Sequence, residues 1–290
     1  MLAGLLKADF AITGTWPMRT ERDQGLKTGT NVLASSILLV CRPRSNSASQ
    51  ATRRDFIVEL RRELPVVLRT LQHGNIAPVD LAQASIGPGM AVFSRYAQVL
   101  EADGSAMSVR TALGIINAEL DAYLAAQEGE MDSETRFCVA WFEQYGMKVA
   151  KFGEADVLAR AKNTSVEGLR RAGVLHAVGG DVRLLTRTEL DPTWDPRTDH
   201  KVTDWECSQH LIRALMDAQG GEDAAAQLAR RMGAERAQIA RDLAYRLYAI
   251  CERKKWADEA LAYNALVASW PAIQQKAATQ QDQPEQGRLI

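Results

Sequence analysis

The sequence predicts a mainly α-helical protein with a short β part. Apolar residues recur at helical spacing in most segments between residues 52 and 269, which is typical of helices that bury one face. Two apolar segments near the start, 10–18 and 31–41, are separated by a polar loop and predict a pair of strands. A second strand pair is predicted around Gly179 and Gly180. With 290 residues and an apolar content of 46%, the chain can bury a substantial core.

The first predicted region, residues 1–44, contains the end of an amphipathic helix followed by the two strands. The polar, proline-containing segment CRPRSNSASQ marks its boundary. Two strands of this kind are at best marginally stable in water unless further strands or a helix cover their faces. We therefore expect this region to dock on another structure, and we expect Met1 not to begin a complete fold.

A helical region is predicted over residues 52–128. Its first helix contains Pro65, which is expected to kink or split it. The glycine-proline-glycine segment 87–89 is expected to end a short helix, because both residue types disfavour helix interiors. Ser108 is a candidate N-cap for the last helix of the region. The predicted helices span Thr52 to about Gln72, Asp80 to Ala84, about Met90 to Leu100, and Ser108 to Ala126.

Residues 132–188 show a different order of elements, with three predicted helices followed by a strand pair. The helices lie near 133–145, from Glu154 to Ala161, and from a cap at Thr164 or Ser165 to Gly173, and the strands lie in VLHAVGGDVRLLTR. Three short helices and a hairpin are typical of a winged-helix-like module. The sequence therefore predicts a winged-helix-like unit within the helical chain.

The third helix of such a module is a candidate recognition helix, which enters the major groove of DNA. Basic and polar side chains around it would contact phosphates or base edges. The predicted DNA-binding residues are Lys162, Asn163, Thr164, Ser165, Arg170 and Arg171, with Arg183 and Arg187 on the hairpin as a wing. The alternative is that the module contacts a protein and that Arg170 and Arg171 are solvated surface residues.

The C-terminal part is predicted to be helical over residues 204–272, after a loop at 188–204 that contains prolines and aspartates. Aromatic residues in its closing helices predict packing between two antiparallel helices. The glutamine-rich residues 273–290 are expected to form a flexible tail. The predicted helices span about 204–218, 222–232, 234–252 and Asp258 to Ser269.

Three segments of the chain carry a resemblance to a known protein family. The first is TWPMRTE at 15–21, continued after a polar loop by NVLASSILLVCRPR at 31–44. The second is DLAQASIGPGMAVFSRY at 80–96, and the third runs from RLY at 246–248 to Trp270-Pro271. Together they resemble the C-terminal part of the large prokaryotic adenine-specific DNA methylases, the family with an uncharacterised N-terminal region.

This resemblance implies that residues 1–44 are the edge β-hairpin of a class I methylase, followed by a target-recognition or accessory region. It also implies S-adenosylmethionine as the cofactor of the complete enzyme. The family's glycine-rich cofactor turn and its Asp/Asn-Pro-Pro-Tyr/Phe motif match no positions in this sequence. The nearest segment, DPTW at 191–194, lacks the second proline. We therefore assign no catalytic and no cofactor-binding residues to this chain, and we expect it to be inactive alone.

The expected partners are DNA and, in a split enzyme, a separately encoded catalytic half of the methylase. A truncated gene product without activity is the second version of this hypothesis. A free-standing DNA-binding or adaptor protein that acts through residues 133–187 is the alternative function. The net charge of −1 and the pI near 6.5 exclude a strong global attraction to nucleic acid, so DNA contacts would come from local basic faces.

Two further classes of function are disfavoured by the sequence. No metal site is predicted, because His200, Cys207 and His210 lack a fourth ligand. The chain has no run of eighteen apolar residues and no basic segment before a signal-like core. A cytoplasmic protein without membrane contact is therefore expected.

Overall fold

The computed structural model describes residues 1–19 and 35–279 of the chain. It is mostly helical with a small β part, which confirms the predicted fold class at this level. The chain divides into two compact units, Met1–Ala126 and Gln127–Ile290. Residues 31–34 of the predicted second strand lie outside the described residues. None of the described helices is long and apolar enough to cross a membrane.

The first unit opens with a short helix and a strand pair, which are α1 (Leu2–Lys7), β1 (Phe10–Arg19) and β2 (Ser35–Pro43). The two strands are antiparallel, with a register shift between Ile12 and Gly14. Trp16 lies opposite Leu38 in this register. The predicted strand pair is therefore confirmed over the described residues.

Helices with two short strands form the rest of the first unit: β3 (Gln50–Thr52), α2 (Arg53–His73), α3 (Pro78–Ser94), β4 (Gln98–Leu100) and α4 (Val109–Ala126). β3 and β4 pair in parallel, which the sequence patterns did not predict. α2 continues through Pro65 without splitting. The hydroxyl of Ser108 accepts a 3.0 Å hydrogen bond from the amide of Thr111, as expected for a cap at the start of α4.

The segment 87–89 lies inside α3, so the expected helix break at this point is wrong. A Cβ atom at Gly87 would lie 2.0 Å from the side chain of Thr15 on β1, and a Cβ atom at Gly89 would lie 2.5 Å from Ile116 on α4. The glycines therefore let α3 approach both neighbours closely. This packing outweighs the low helix propensity of glycine and proline.

One face of the β1–β2 pair is covered by α3. The amide of Ile12 donates a 2.8 Å hydrogen bond to the hydroxyl of Ser94, and Thr15 contacts α3 at Gly87. Since side chains alternate between the faces of a strand, the next residue, Trp16, belongs to the opposite face. This opposite face is apolar and exposed, and we call it the outer hairpin face: Trp16, Met18, Leu38 and Val40.

The second unit begins with a 3-10 turn at Gln127–Glu130. In chain order, it continues with α5 (Ser133–Tyr145), β5 (Ala150–Lys151), α6 (Phe152–Ala161), α7 (Val166–Arg171), β6 (Leu175–Val178) and β7 (Asp181–Leu184). The three strands form one antiparallel sheet in the spatial order β5-β7-β6. The predicted strand pair around Gly179 and Gly180 is confirmed, and β5 is a third strand that the sequence patterns did not predict.

The described part of the second unit ends in a helical bundle: α8 (Asp204–Met216), α9 (Gly221–Met232), α10 (Ala234–Lys254), α11 (Ala257–Ala268) and α12 (Trp270–Thr279). α12 continues beyond the predicted helical boundary at residue 272. α10 packs against α8 and α11, and its Tyr245 is buried together with Tyr263 of α11. The expected packing between the closing helices is therefore confirmed.

Candidate nucleic-acid interface

The predicted DNA-binding residues lie in the connection between α6 and α7, at the end of α7, on β7 and in the loop after β7. The helices and strands that carry them share one small core. α5 and α6 pack together, and α6 and α7 both contact the sheet. The fully buried side chains of this core come from all of these elements: Phe137, Ala155, Ala159, Leu169, Val182 and Leu184. Burial of these apolar groups fixes α6 and α7 relative to each other, and so fixes the positions of their surface residues.

The connection between α6 and α7 consists of four of the predicted residues, Lys162 to Ser165. Asn163 has a φ angle of 59°, a left-handed conformation that asparagine tolerates better than most residues. Ser165 is the N-cap of α7, and its hydroxyl accepts a 3.0 Å hydrogen bond from the amide of Gly168. Of the two caps that the sequence allowed, Ser165 is thus the one observed.

Thr164 does not cap α7 as Ser165 does, but binds a residue of α5. Its hydroxyl donates a 2.7 Å hydrogen bond to Oε1 of Glu134, which is buried at the start of α5. The same carboxylate oxygen accepts a 2.6 Å hydrogen bond from Nζ of Lys201. Burial raises the pKa of Glu134, but the hydrogen bonds from Lys201 and Thr164 outweigh it and leave the pKa lowered. An ionised Glu134 therefore ties the α6–α7 connection to α5.

Arg170 and Arg171 are exposed at the end of α7 and share one acidic neighbour. Glu167 lies 2.9 Å from the guanidinium of Arg170 and 3.8 Å from that of Arg171. The hydrogen bond from Arg170 lowers the pKa of Glu167. Ion pairs between exposed side chains contribute little to stability, so both arginines can exchange this carboxylate for a phosphate at small cost.

Arg183 on β7 is held more firmly. Its two terminal nitrogens each donate a 2.6 Å hydrogen bond to the carboxylate of Glu189. The amide and hydroxyl of Thr186 donate to the same carboxylate at 2.9 and 2.7 Å. These bonds, first the one from Arg183, lower the pKa of Glu189 to about 2. Arg183 therefore ties β7 to Glu189 in the loop that follows this strand.

Arg187 is the most strongly anchored of the predicted residues, with a side chain that is 17% exposed. One terminal nitrogen donates a 2.6 Å hydrogen bond to Glu259 of α11, and Nε donates a 2.9 Å hydrogen bond to Gln209 of α8. Its guanidinium lies 5.1 Å from the ring centre of Tyr263. Arg187 thus joins the loop after β7 to the helical bundle.

A buried acidic residue that no sequence pattern indicates lies close to Gly173, which follows α7. Glu206 of α8 is 4% exposed, and a Cβ atom at Gly173 would lie 3.0 Å from its Oε1. Burial and the nearby carboxylate of Asp199 raise the pKa of Glu206 to about 8. Asp199 in turn accepts a 2.7 Å hydrogen bond from the indole of Trp194. No sequence signal marks this cluster, because a glutamate in the first turn of a helix is normally a solvated residue.

The DPTW segment and the described His, Cys, Asp and Glu residues were the candidates for a catalytic motif and a metal site. In the DPTW segment, Asp191 accepts 2.7 Å hydrogen bonds from the amide and the hydroxyl of Thr193, which is a local turn. Within residues 1–19 and 35–279, no three His, Cys, Asp or Glu side chains come together as a metal site.

Comparison with known proteins identifies a family for the second unit. A family model described as "Domain of unknown function (DUF8807)" matches residues 132–289, which is more than half of the chain. Neither the curated proteins nor the solved structures contain a significant match to this chain. The matched segment begins at Asp132, the N-cap of α5, and contains all eight predicted DNA-binding residues. The chain therefore belongs to the DUF8807 family.

Proposed function

We propose that this chain is a non-catalytic DNA-recognition subunit of an S-adenosylmethionine-dependent adenine methylase, with a winged-helix-like unit at residues 132–188. The observation that carries the proposal is the order α5, β5, α6, α7, β6, β7 together with the sheet order β5-β7-β6. This is the order of elements in winged helix-turn-helix DNA-binding proteins. Fold alone does not determine function, so the surface of the unit must also fit DNA.

The connection between α6 and α7 supports the helix-turn-helix assignment. It contains four residues, 162–165, and such motifs join their two helices by a turn of three or four residues. In this arrangement α7 is the recognition helix, and its N-terminal end faces the base edges. Asn163 and Ser165 then lie nearest the groove, while Arg170 and Arg171 contact the flanking phosphates.

Not all eight predicted residues are equally suited to this role. Lys162 directly follows α6, and Arg170 and Arg171 are the last residues of α7. Asn163 and Ser165 are exposed in the connection between the two helices. Arg183 and Arg187 already bind Glu189 and Glu259. We assign DNA contact to the first group, and we assign Arg183 and Arg187 to holding the wing strands on the rest of the unit.

The methylase part of the proposal is supported by the outer hairpin face. Trp16 and Leu38 lie opposite each other on this face, and their side chains are 64% and 54% exposed. Exposed apolar clusters of this kind mark interaction surfaces. The outer hairpin face would pack against the separately encoded catalytic half, which would supply the S-adenosylmethionine site and the methyl transfer.

DNA binding is tested by fluorescence anisotropy of a labelled duplex titrated with the full chain at several salt concentrations. The double variant Arg170→Gln/Arg171→Gln should bind more weakly and should lower the slope of log affinity against log salt by about two, because each lost phosphate contact removes about 0.9. The matched control is Arg61→Gln/Arg62→Gln, which changes two adjacent exposed arginines of α2 that also pair with glutamates. Equal slopes for both double variants would refute the assigned interface.

The second candidate is a free-standing DNA-binding or adaptor protein, which the same unit would support without a catalytic half. The two candidates differ at the outer hairpin face. Leu38→Asp should abolish co-purification with the catalytic half in the subunit proposal and should leave DNA affinity unchanged in both. A complex that survives this substitution would refute docking through the outer hairpin face. If the unmodified chain forms no complex with a catalytic half, the free-standing protein is favoured.

A further inference from the structure

A cleft in the helical bundle lies between α8, α9 and the loop that precedes α8, apart from the residues assigned to DNA contact. Its volume is about 280 Å³. The residues around it combine aromatic, basic and small side chains, including Trp194, His210, Arg213, Gly220, Ala224 and Arg231. None of these residues has a role in the function proposed above.

The positive charge of the cleft comes from two arginines on neighbouring helices. Nη1 of Arg213 donates a 2.7 Å hydrogen bond to the carbonyl of Leu190, which orients the guanidinium. Among the residues that the structure describes, Arg213 has no carboxylate within ion-pair distance. Arg231 makes one long ion pair, 3.7 Å, with Asp195. Both guanidinium groups therefore retain donors for an anion.

The acidic residue of the cleft is already engaged. Asp217 lies in the lining, and its Oδ1 accepts a 2.8 Å hydrogen bond from the amide of Gln219. The cleft thus holds two guanidinium groups against one carboxylate. Burial lowers the pKa of His210 to about 4, so the imidazole is neutral near pH 7 and adds no charge.

The start of α9 adds a second favourable feature for an anion. Gly220 lines the cleft and is the N-cap of this twelve-residue helix, where no side chain caps the first amides. The N-terminal end of a helix carries a partial positive charge and free N–H donors. Glu222 and Asp223 follow in the first turn, and both pair with Lys276 of α12.

Two aromatic side chains, Trp194 and His210, also line the cleft. The rings of Trp194 and His210 are stacked, with centroids 4.2 Å apart and planes 5° from parallel. His210 is 6% exposed, and its Nε2 has no hydrogen-bond partner among the described residues. Leu228 and Pro192 extend the apolar part of the lining. The cleft therefore combines charged and apolar groups in its lining.

We propose that this cleft binds a small phosphorylated ligand, with the phosphate between Arg213, Arg231 and the start of α9 and the remainder against Trp194. Guanidinium groups match phosphate oxygens in bidentate geometry. The cleft volume of about 280 Å³ lies just below the usual range for ligand sites, which begins at about 300 Å³, so the ligand is no larger than a nucleoside monophosphate.

The test is isothermal titration of the full chain with adenosine monophosphate, inorganic phosphate and uncharged adenosine. We expect adenosine monophosphate to bind, inorganic phosphate to compete with it, and adenosine to give no heat at the same concentration. Arg231→Gln should weaken adenosine monophosphate binding roughly tenfold or more, the range expected when a hydrogen-bonded charge is lost. Arg230→Gln is the matched control, since it removes the adjacent exposed charge of α9 that does not line the cleft.

Two further variants separate binding from folding. Arg213→Gln removes the oriented guanidinium and also its bond to Leu190, so its loss of binding is interpreted only alongside an unchanged thermal unfolding midpoint. Ala224→Phe fills the cleft without a change of charge and should abolish binding. The proposal is overturned if adenosine binds as tightly as adenosine monophosphate, if neither phosphate compound binds, or if Arg230→Gln weakens binding as much as Arg231→Gln does. DNA affinity is measured independently, so failure here leaves the DNA-recognition proposal standing.

Discussion

The hydroxyl of Thr164 donates a hydrogen bond to Oε1 of Glu134, 30 residues earlier in the chain, at a distance of 2.7 Å. Glu134 lies in the first turn of α5, whereas Thr164 lies between α6 and α7. Lys201 and Ser133 donate to the same carboxylate at 2.6 and 3.0 Å. A buried, ionised glutamate therefore helps to fix the connection that precedes the candidate recognition helix.

The first prediction concerns this glutamate. Glu134→Gln keeps the shape of the side chain but removes the charge that Lys201 and Thr164 bind. We expect the free energy of unfolding to fall by about 1.5–3 kcal/mol, the range for a hydrogen bond to a charged group. Urea unfolding followed by circular dichroism measures it. Glu235→Gln, an exposed glutamate in the first turn of α10, is the control and should change the stability little; an equal loss in both variants would contradict the prediction.

Close approach between α3 and its neighbours gives a second prediction. Gly87→Ala would place a Cβ atom 2.0 Å from Thr15, so it should lower the thermal unfolding midpoint, because the strand or the helix must shift. Gly114→Ala is the matched control within α4, where no atom lies within 4 Å of the added Cβ. Since alanine is the better helix former by about 1 kcal/mol, Gly114→Ala should raise the midpoint. A midpoint that rises in both variants would show that α3 does not lie against β1.

The buried Glu206 predicts a pH dependence of stability. Its pKa is raised from the ordinary value of 4.5 to about 8, so the native state keeps the proton that the unfolded chain loses. The stabilisation is complete below pH 4.5 and is lost as the pH rises to about 8, with a slope of at most about 1.4 kcal/mol per pH unit. Glu206→Gln should remove this slope.

Unfolding in urea at pH 5 and pH 8 measures the effect. The wild-type chain should lose more stability between these pH values than Glu206→Gln does. Asp204, whose pKa is raised to about 6 by burial and by Asp132, contributes to the slope in both proteins and cancels in the comparison. Parallel pH profiles for the two proteins would mean that Glu206 is ionised in the native state.

The fourth prediction separates anchoring from DNA contact at Arg187. Arg187→Ala should reduce the free energy of unfolding by about 3 kcal/mol, because it leaves the half-buried Glu259 without its guanidinium partner. The double variant Arg187→Ala/Glu259→Ala should lose less than the sum of the single losses. Additive losses would show that the pair does not interact. DNA anisotropy at a temperature where each variant is folded should give affinities close to that of the wild type.

Local chemistry accounts for most of the elements that could be predicted. Ser108 and Ser165 begin helices because a hydroxyl satisfies an amide within three residues, and such a signal is complete within a short segment. Glycines at 179 and 180 allow the tight turn between β6 and β7, where both have positive φ angles. The Ser165 cap and the Gly179–Gly180 turn also predicted where α7 begins and where the strand pair after it turns.

Elements that depend on residues far away in the chain could not be predicted from local sequence signals. The two-residue strand β5 has no periodicity of its own and exists because β7 pairs with it. Gly87 appeared to end a helix, yet its small size serves the contact with Thr15, 72 residues earlier in the chain. Arg187 was predicted to contact DNA because its ion pair with Glu259 leaves no pattern in the sequence. The two residues belong to a loop and to a helix that are 72 residues apart.

The sequence by itself determined the helical class, the start of most helices and the β6–β7 turn, because capping, periodicity and turn chemistry act within a few residues. Only the tertiary structure decided which side chains are anchored and which remain at the surface. It buried Glu134 and Glu206, paired Arg187 with Glu259, and brought Arg213 and Arg231 to one cleft. These outcomes depend on packing between helices far apart in the chain, since burial and charge pairing are properties of the assembled core.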